Sequence, residues 1–539
     1  MPIALPFRLP VSLLRRARSP RLGLHTVCAG LAAAVLAAIP VTPRAQEAVD
    51  ARPAGGLTGA QVLRLGNIDF RACEVGAAHA SGLPTQDAYC ARFDVPEDWD
   101  TPAGRHIGLR VAIVRSAVPE PDKDLVVFLD GGPGGAATED YPAIAPAMAQ
   151  LRKRHHILLI DQRGTGGSNP LGCDEELALE TDKPAPIAAS GTDADPARQL
   201  ALVHHCLDAL ARRAAPQFYA TSDAVADLEA VRHALGDAPL DLLGISYGTR
   251  VAQQYAARHP NAVRSIVLDS PVPNRLALLT DHARNLEDVI QRRLAQCQAD
   301  PACAGRFGDS YGQLHQVHAQ LRRKPQSVAF RDPQTFAWAR RNFGADDLAA
   351  LVRFYLYGAP TSALLPYVIA QAHDGQWDAL MAQVQFVVGD ISERMSRGMA
   401  ASVLCSEDAD LLRERGEDEA TLLGNGPIRS AIQTCKVWPH RPRPADFHEP
   451  LKTDLPVLVL AGEFDPVTPP RYGSEIIAGL PHARMLLARG QGHAVLGVGC
   501  MSKLVADFIA HPDPAGLDDH CLQALGQTPA FLDVNGSSP

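Results

Sequence analysis

The sequence predicts an α/β protein with a mostly parallel central sheet, helices on both faces of the sheet, and a mainly helical lid inserted between sheet strands. Short apolar runs bounded by Gly or Pro recur along the chain, which is typical of strands buried on both faces. Amphipathic helical patterns separate several of these runs, and such alternation implies right-handed crossovers between parallel strands. A long segment between the fourth and fifth runs contains helical patterns but no convincing buried strand.

The strand and helix predictions follow from these patterns in chain order. Residues 107–114 alternate in polarity and are expected to form an antiparallel lead-in strand. A helix is predicted over 222–235, with Ser222 as its N-cap and Gly236 as its stop, and a second over 247–258. The runs predicted as parallel strands are 125–129, 157–160, 240–243, 265–268, 457–460 and 485–487.

Length and composition fit a folded protein with a large core rather than a fibrous or disordered protein. The chain has 539 residues, of which 46% are hydrophobic and 21% charged. The net charge of −9 offers no basic excess for nucleic acid. The predicted organisation is a signal peptide (1–45), a first part of the core (46–272), a lid (273–404), a second part of the core (405–525) and a flexible tail (526–539).

The first 45 residues have the pattern of a secretory leader. They contain six Arg and no acidic residue, and the apolar run 27–39 has 13 residues, fewer than the roughly 20 that a membrane span needs. An uncleaved anchor is the weaker alternative. Removal of the leader changes the net charge from −9 to −15. We therefore expect an exported protein, periplasmic or extracellular, without a stable membrane anchor.

Removal of the leader also reduces the cysteine count from eleven to ten. An even number in an exported chain indicates disulfides, although the sequence cannot prove their connectivity. No CxxC pair is present, which argues against a zinc site. Pairing of sequential neighbours is the simplest prediction: Cys73 with Cys90, Cys173 with Cys206, Cys297 with Cys303, Cys405 with Cys435, and Cys500 with Cys521.

Polar and Gly-rich motifs follow the predicted parallel strands, at the edge of the sheet where active sites form. The segment Gly244 to Gly248 has the G-x-S-x-G pattern between a buried strand and an amphipathic helix. This context predicts a tight turn that exposes the hydroxyl of Ser246 as a nucleophile. The pattern alone is weak, and the strand and helix that flank it give it weight.

A nucleophilic serine needs a base and an orienting carboxylate. His493 follows the last predicted strand within a Gly-rich loop and is the expected base. Asp465 is the expected acid, and Asp269, which also ends a strand, is its competitor. The order Ser246, Asp465, His493 is that of an α/β-hydrolase triad, and the predicted fold is the α/β-hydrolase fold.

The loop at 130–135 is predicted to supply backbone donors to a reacting oxyanion. Glycine lets the main chain approach the substrate, so the N–H of Gly132 is expected to act together with that of Tyr247. The phosphate-binding alternative fails because no Walker lysine follows. Arg163 is expected to anchor neighbouring loops. No metal or organic cofactor is needed for this chemistry.

Taken in order, GGPG (131–134), DQRGTGGS (161–168), GISYGTR (244–250), GEFDPVTP (462–469) and GQGH (490–493) resemble the prolyl and tripeptidyl aminopeptidase group of α/β-hydrolase serine peptidases. The resemblance covers about residues 70–525 and is closer to the secreted tripeptidyl enzymes. One departure is Asp130, which stands where prolyl aminopeptidases usually carry His. A side-chain role at that position is therefore in doubt.

The resemblance implies an exopeptidase that removes short N-terminal pieces from peptides with a free N-terminus. Glu407 and Asp408, just after Cys405 where the chain returns from the lid, are the candidates to bind the substrate ammonium, because such enzymes use acids near the lid for that purpose. A solvated surface acid is the competing interpretation of Glu407. A carboxylesterase or lipase with the same triad is the alternative function, although the arginine pairs of the lid disfavour a lipid substrate. The sequence does not set the oligomeric state.

Overall fold

The structure is a computed structural model that describes residues 62–77, 84–118, 124–172 and 196–537. The chain divides into the units Met1–Asp50 and Ala51–Pro539, and every described element belongs to the second. The predicted signal peptide and Cys173 lie outside the described residues.

A ten-stranded sheet is the framework of the second unit, with strand order β1-β2-β3-β4-β6-β5-β7-β8-β11-β12. Its strands are β1 (Val62–Leu65), β2 (Ile68–Val75), β3 (Gln86–Pro96), β4 (His106–Val114), β5 (Leu125–Leu129), β6 (His156–Ile160), β7 (Leu240–Ile245), β8 (Val263–Asp269), β11 (Val457–Gly462) and β12 (Ala483–Ala488). The last six pair in parallel, as predicted. The lead-in strand β4 is antiparallel to both of its neighbours, β3 and β6, as predicted.

Strands β1 to β3 extend the sheet antiparallel beyond β4, and the sequence pattern does not predict them. Buried and more exposed residues alternate along most of β2, so this strand has no continuous apolar run. A two-sided burial pattern was the criterion for the parallel strands. One-sided strands of mixed polarity escape that criterion.

Helices cover both faces of the sheet and are numbered here in chain order. Those of the core are α1 (Ala137–Ile144), α2 (Pro196–Leu210), α3 (Thr221–Leu235), α4 (Tyr247–Arg258), α14 (Pro470–Ile477) and α15 (Met501–Ala510). Tyr255 of α4 packs in the apolar cluster on one face of the sheet, and Phe508 of α15 in the cluster on the other. Burial of both clusters holds the strand ends in register.

The predicted N-cap of α3 is wrong by two residues. The helix begins at Thr221, and Ala220 occupies the capping position. The carboxylate of Asp223 accepts a hydrogen bond of 3.0 Å from the N–H of Ala220, as the first-turn acid of a capping box does, and no side chain caps the helix from the N-cap position. Gly236 ends the helix at φ 108°, as predicted.

The lid is the helical segment 282–394, inserted between β8 and β11. It has its own apolar core, which includes Leu314, Phe330, Phe343 and Leu348. A hairpin of β9 (Gln326–Arg331) and β10 (Trp338–Phe343) was not predicted, because buried residues alternate with more exposed ones along it and neither strand has a continuous buried run. The lid helices are α5 (His282–Ala299), α6 (Pro301–Phe307), α7 (Ser310–Arg323), α8 (Ala345–Tyr355), α9 (Ala359–Ala363), α10 (Leu365–His373) and α11 (Trp377–Arg394).

The lid is shorter at both ends than the predicted range 273–404, and the predicted tail differs as well. The boundary at 404/405 falls inside α12 (Arg397–Glu407), which is followed by α13 (Gly426–Cys435). Met399 and Val403 pack with the sheet's apolar cluster, so α12 belongs to the core. The segment expected to be a flexible tail packs on the lid instead. Phe531 donates a backbone hydrogen bond of 2.8 Å to Ala363, and Leu532 is buried.

Four of the predicted disulfides are formed: Cys73–Cys90, Cys297–Cys303, Cys405–Cys435 and Cys500–Cys521. The fifth predicted pair, Cys173–Cys206, includes Cys173, which lies outside the described residues. A search of the described helices finds none with the length and apolar character to cross a bilayer.

Candidate active site

Ser246 lies on a strained turn between β7 and α4. Its backbone has φ 54° and ψ −121°, a conformation that non-Gly residues rarely adopt. The turn is tight, because a Cβ atom on Gly248 would lie 2.0 Å from the carbonyl oxygen of Leu129. The N–H of Ser246 donates to the carbonyl of Asp269 at 2.9 Å. The serine thus stands at the carboxyl ends of the parallel strands, as predicted.

Asp465 and His493 form a hydrogen-bonded pair at the same edge of the sheet. The Oδ2 atom of Asp465 lies 2.7 Å from Nδ1 of His493 and also accepts from the Thr468 hydroxyl at 2.8 Å. The Oδ1 atom accepts the N–H groups of Val467 and Thr468, each at 2.8 Å. Every bond to the carboxylate fixes its plane, and the contact at Nδ1 leaves Nε2 of the imidazole for the reaction.

The electrostatics of this pair favour an ionised acid beside a basic imidazole. Burial raises the pKa of Asp465, but His493 and the two N–H donors lower it by more than burial raises it. The net pKa therefore lies below its usual value. Burial lowers the pKa of His493, while the Asp465 carboxylate raises it, and the net pKa lies above the usual value. An ionised carboxylate of this kind stabilises the imidazolium that forms when His493 acts as a general base.

Asp269, the competing acid, serves the same loop in a different way. Its carboxylate accepts the N–H of Val495 at 3.0 Å and that of Leu496 at 2.8 Å. Burial raises the pKa of Asp269 to about 6, although these two bonds oppose the shift. Its oxygens are thus engaged by the backbone that follows His493, and the imidazole contact belongs to Asp465.

The lid contacts the catalytic loop directly, and nothing in the sequence pattern predicts this contact. The N–H of His493 donates to the carbonyl of Tyr357 at 2.9 Å, and the two rings pack with centroids 4.9 Å apart. Arg353 and His282 also come from lid helices. The charge of Arg353 opposes the rise in the pKa of His493, and the charge of His493 contributes to lowering the pKa of His282. No motif marks these residues, because each is separated from His493 by more than one hundred positions in the chain.

The loop after β5 lies beside the serine. A Cβ atom on Gly131 would lie 3.3 Å from Cβ of Ser246. Neither the N–H of Gly132 nor that of Tyr247 donates a hydrogen bond within the described part of the chain. The carboxylate of Asp130 accepts the N–H of Gly131 at 2.7 Å, and burial together with Asp140 raises the pKa of Asp130. Asp130, which stands where the family usually has His, therefore holds the loop through a hydrogen bond to its backbone.

Two further predictions concern acid and arginine side chains away from the serine. Arg163 is fully buried and bonds Asp227 through two nitrogens, at 2.7 and 2.6 Å, which confirms its anchoring role. Glu407 is 1% exposed, accepts the N–H of Thr221 at 2.7 Å, and pairs with Arg250 at 3.4 Å. The expected ammonium site at Glu407 is therefore wrong, since its carboxylate is already used inside the core.

The arrangement can activate a hydroxyl by proton transfer and can stabilise negative charge that develops next to it. Within the described residues, no three His, Cys, Asp or Glu side chains are grouped so as to hold a metal ion. The chemistry available from the placed side chains is that of nucleophilic acyl transfer.

Comparison with protein families agrees with this geometry. A family model described as the alpha/beta hydrolase fold matches residues 124–499. The chain belongs to the α/β-hydrolase fold family. Its solved structural neighbours include proline iminopeptidase from Mycobacterium smegmatis, at 17% identity, with 78% of this chain and 99% of that chain covered and a TM-score of 0.35.

Curated relatives of this α/β hydrolase carry peptidase names and, in one case, an esterase name. "Serine protease Hip1" of Mycobacterium tuberculosis is 24% identical over 454 residues, covering 78% of this chain and 85% of the relative. "Tripeptidyl aminopeptidase" of Streptomyces lividans is 24% identical over 436 residues, covering 76% and 78%. "Carboxylesterase B" of Mycobacterium tuberculosis is 28% identical over 331 residues, covering 57% and 59%. The predicted resemblance to peptidases of the serine-hydrolase type is thus confirmed.

Proposed function

We propose that this protein is an exported serine exopeptidase that hydrolyses peptide bonds near a free N-terminus, in the manner of tripeptidyl or prolyl aminopeptidases. The observation that carries the proposal is the bond of 2.7 Å between Asp465 and His493 at the sheet edge that also holds Ser246. The names of the curated relatives support a peptidase, and four disulfides support an oxidising compartment.

The proposed reaction follows from the roles of the placed groups. Nε2 of His493 accepts the proton of the Ser246 hydroxyl as Oγ bonds to the scissile carbonyl carbon. The N–H groups of Gly132 and Tyr247 donate to the resulting oxyanion. The protonated imidazole then gives its proton to the leaving amine as the C–N bond breaks. Water, deprotonated by the same imidazole, hydrolyses the acyl-enzyme and releases the N-terminal piece.

The experiment that tests this function compares blocked and unblocked substrates. Free and N-acetylated Ala-Ala-Pro and Pro p-nitroanilides are offered alongside p-nitrophenyl esters. An aminopeptidase cleaves the free anilides and loses this activity on acetylation, because the charged terminus is part of what it recognises. Equal cleavage of acetylated anilides would overturn the exopeptidase assignment.

Carboxylesterase is the second candidate, and the relative named carboxylesterase B favours it. The same triad serves both reactions, so the geometry of Ser246, Asp465 and His493 does not separate them. Rapid turnover of the esters with no cleavage of any anilide would replace the peptidase by an esterase. If the anilides are cleaved instead, mass spectrometry of a digested peptide library reports the length of the released piece.

A further inference from the structure

An arginine of the lid is held beside the catalytic base. The segment Leu356–Tyr357 packs against the backbone of Gly492 so closely that a Cβ atom there would lie 2.4 Å from each of the two carbonyl oxygens. The N–H of His493 donates to Tyr357 in the same contact. Arg353 lies one helical turn earlier, and its Nη2 donates to the Tyr357 hydroxyl at 3.3 Å. The guanidinium is thus linked to the imidazole through one aromatic ring.

Arg353 has no acidic partner in the described part of the chain, where no carboxylate lies close enough to form an ion pair with it. Most of its planar donor edge is therefore unused. The charge nevertheless acts on the site. It opposes in part the rise that Asp465 causes in the pKa of His493, and burial together with Arg353 lowers the pKa of His282 to about 3. A half-buried guanidinium beside the catalytic base, without a carboxylate partner of its own, is suited to an anionic group of the substrate.

The side of the scissile bond that Arg353 serves follows from the roles of its neighbours. His493 must give a proton to the leaving amine, so its Nε2 faces the leaving group. The backbone donors Gly132 and Tyr247 face the carbonyl oxygen. Arg353 reaches the site through Tyr357, on the side of His493. An anion bound there belongs to the leaving group.

We propose that Arg353 binds the C-terminal carboxylate of the leaving peptide, so that the enzyme prefers oligopeptides with only a few residues after the scissile bond. The proposal rests on the peptidase function proposed above. An extended residue spans about 3.5 Å, so only a short leaving group brings its carboxylate near the base while its amine lies at Nε2 of His493. A guanidinium and a carboxylate form a paired, charge-assisted contact, which an uncharged C-terminal amide cannot reproduce.

The test compares matched peptides that differ in one group. Ala-Ala-Pro-Ala and Ala-Ala-Pro-Ala-Ala are offered as free acids and as C-terminal amides to the wild type, Arg353→Gln and Arg353→Lys. Arg323→Gln is the control, because Arg323 is an exposed lid arginine at the end of α7. We expect the wild type and Arg323→Gln to prefer the acids in kcat/KM by about tenfold. In Arg353→Gln this preference falls to about one, and Arg353→Lys retains part of it.

A second arm separates this proposal from the proposed function. Inhibition of p-nitrophenyl ester hydrolysis by the dipeptide Ala-Ala and by its amide is measured in the same variants. Stronger inhibition by the acid, lost in Arg353→Gln, supports the carboxylate site even if no peptide is cleaved, in which case the peptidase function alone fails. Equal treatment of acid and amide by the wild type, or a preference that survives in Arg353→Gln, overturns the role of Arg353.

Discussion

The Oδ2 atom of Asp465 lies 2.7 Å from Nδ1 of His493. A second buried carboxylate, that of Asp269, contacts the same loop but binds the N–H groups of Val495 and Leu496. Asp269 is the last residue of β8, and Asp465 follows the adjacent parallel strand β11. The two acids have different roles. Asp465 orients the imidazole, and Asp269 holds the backbone of the loop that carries it.

Replacement of the two acids should therefore have different effects. We expect Asp465→Asn to lower kcat by about 10⁴-fold, because an amide no longer stabilises the imidazolium or the required tautomer. Asp269→Asn should mainly lower stability, by about 1–3 kcal/mol, through the loss of one backbone acceptor. Steady-state kinetics and thermal unfolding of both variants provide the measurement. A larger loss of kcat in Asp269→Asn than in Asp465→Asn would transfer the orienting role to Asp269.

The pH dependence of activity should report the His493 imidazole. The base must be neutral to accept the serine proton, and its pKa lies above the ordinary value of about 6.5 because the effect of Asp465 exceeds that of burial. Activity is therefore expected to fall as the pH decreases through a midpoint above about 6.5 in kcat/KM. In Asp465→Asn the charge that raises this pKa is gone, so the residual activity should have its acid midpoint at lower pH. An unchanged midpoint in that variant would assign the acid limb to another group.

Loss of the Ser246 hydroxyl should abolish hydrolysis while the fold is retained. Within the described residues the hydroxyl takes part in no hydrogen bond, so Ser246→Ala removes a reacting atom without breaking a structural contact. We expect no turnover of anilides or esters, no labelling by a fluorophosphonate probe, and a Tm within a few degrees of the wild type. Hydrolysis by a folded Ser246→Ala protein would show that another nucleophile acts.

The site residues that could be predicted from the sequence are those at the carboxyl ends of the parallel strands. Ser246, Asp465 and His493 each follow an apolar run, and parallel strands bring the ends of such runs to one edge. Asp269 was recognised as a candidate for the same reason, and only the direction of its carboxylate required the structure. Strand order and turn chemistry are local or topological properties, which single-sequence patterns report.

The lid contacts could not be predicted in this way. Tyr357 reaches His493 through a backbone carbonyl, which every residue has, and Arg353 acts through a folded segment remote in sequence. The error at Glu407 has a related cause. Glu407 follows the lid in the chain, but the direction of α12 turns the carboxylate towards Arg250 in the core. Side-chain direction on a helix depends on its packing, which the sequence alone left open.

Glu407 provides a final test, because an internal anchor and a substrate-binding acid respond differently to mutation. Its carboxylate is buried with Arg250, and Asp408 also pairs with that arginine at 3.0 Å. Glu407→Ala leaves the N–H of Thr221 and part of the Arg250 charge without an acceptor, so we expect a loss of about 1–3 kcal/mol in the free energy of unfolding. Glu407→Gln keeps an acceptor for Thr221 and should lose less. For both folded variants the ratio of kcat/KM between free and acetylated anilides should stay within about twofold of the wild type. A selective rise of KM for the free substrates, without loss of stability, would return Glu407 to the ammonium site.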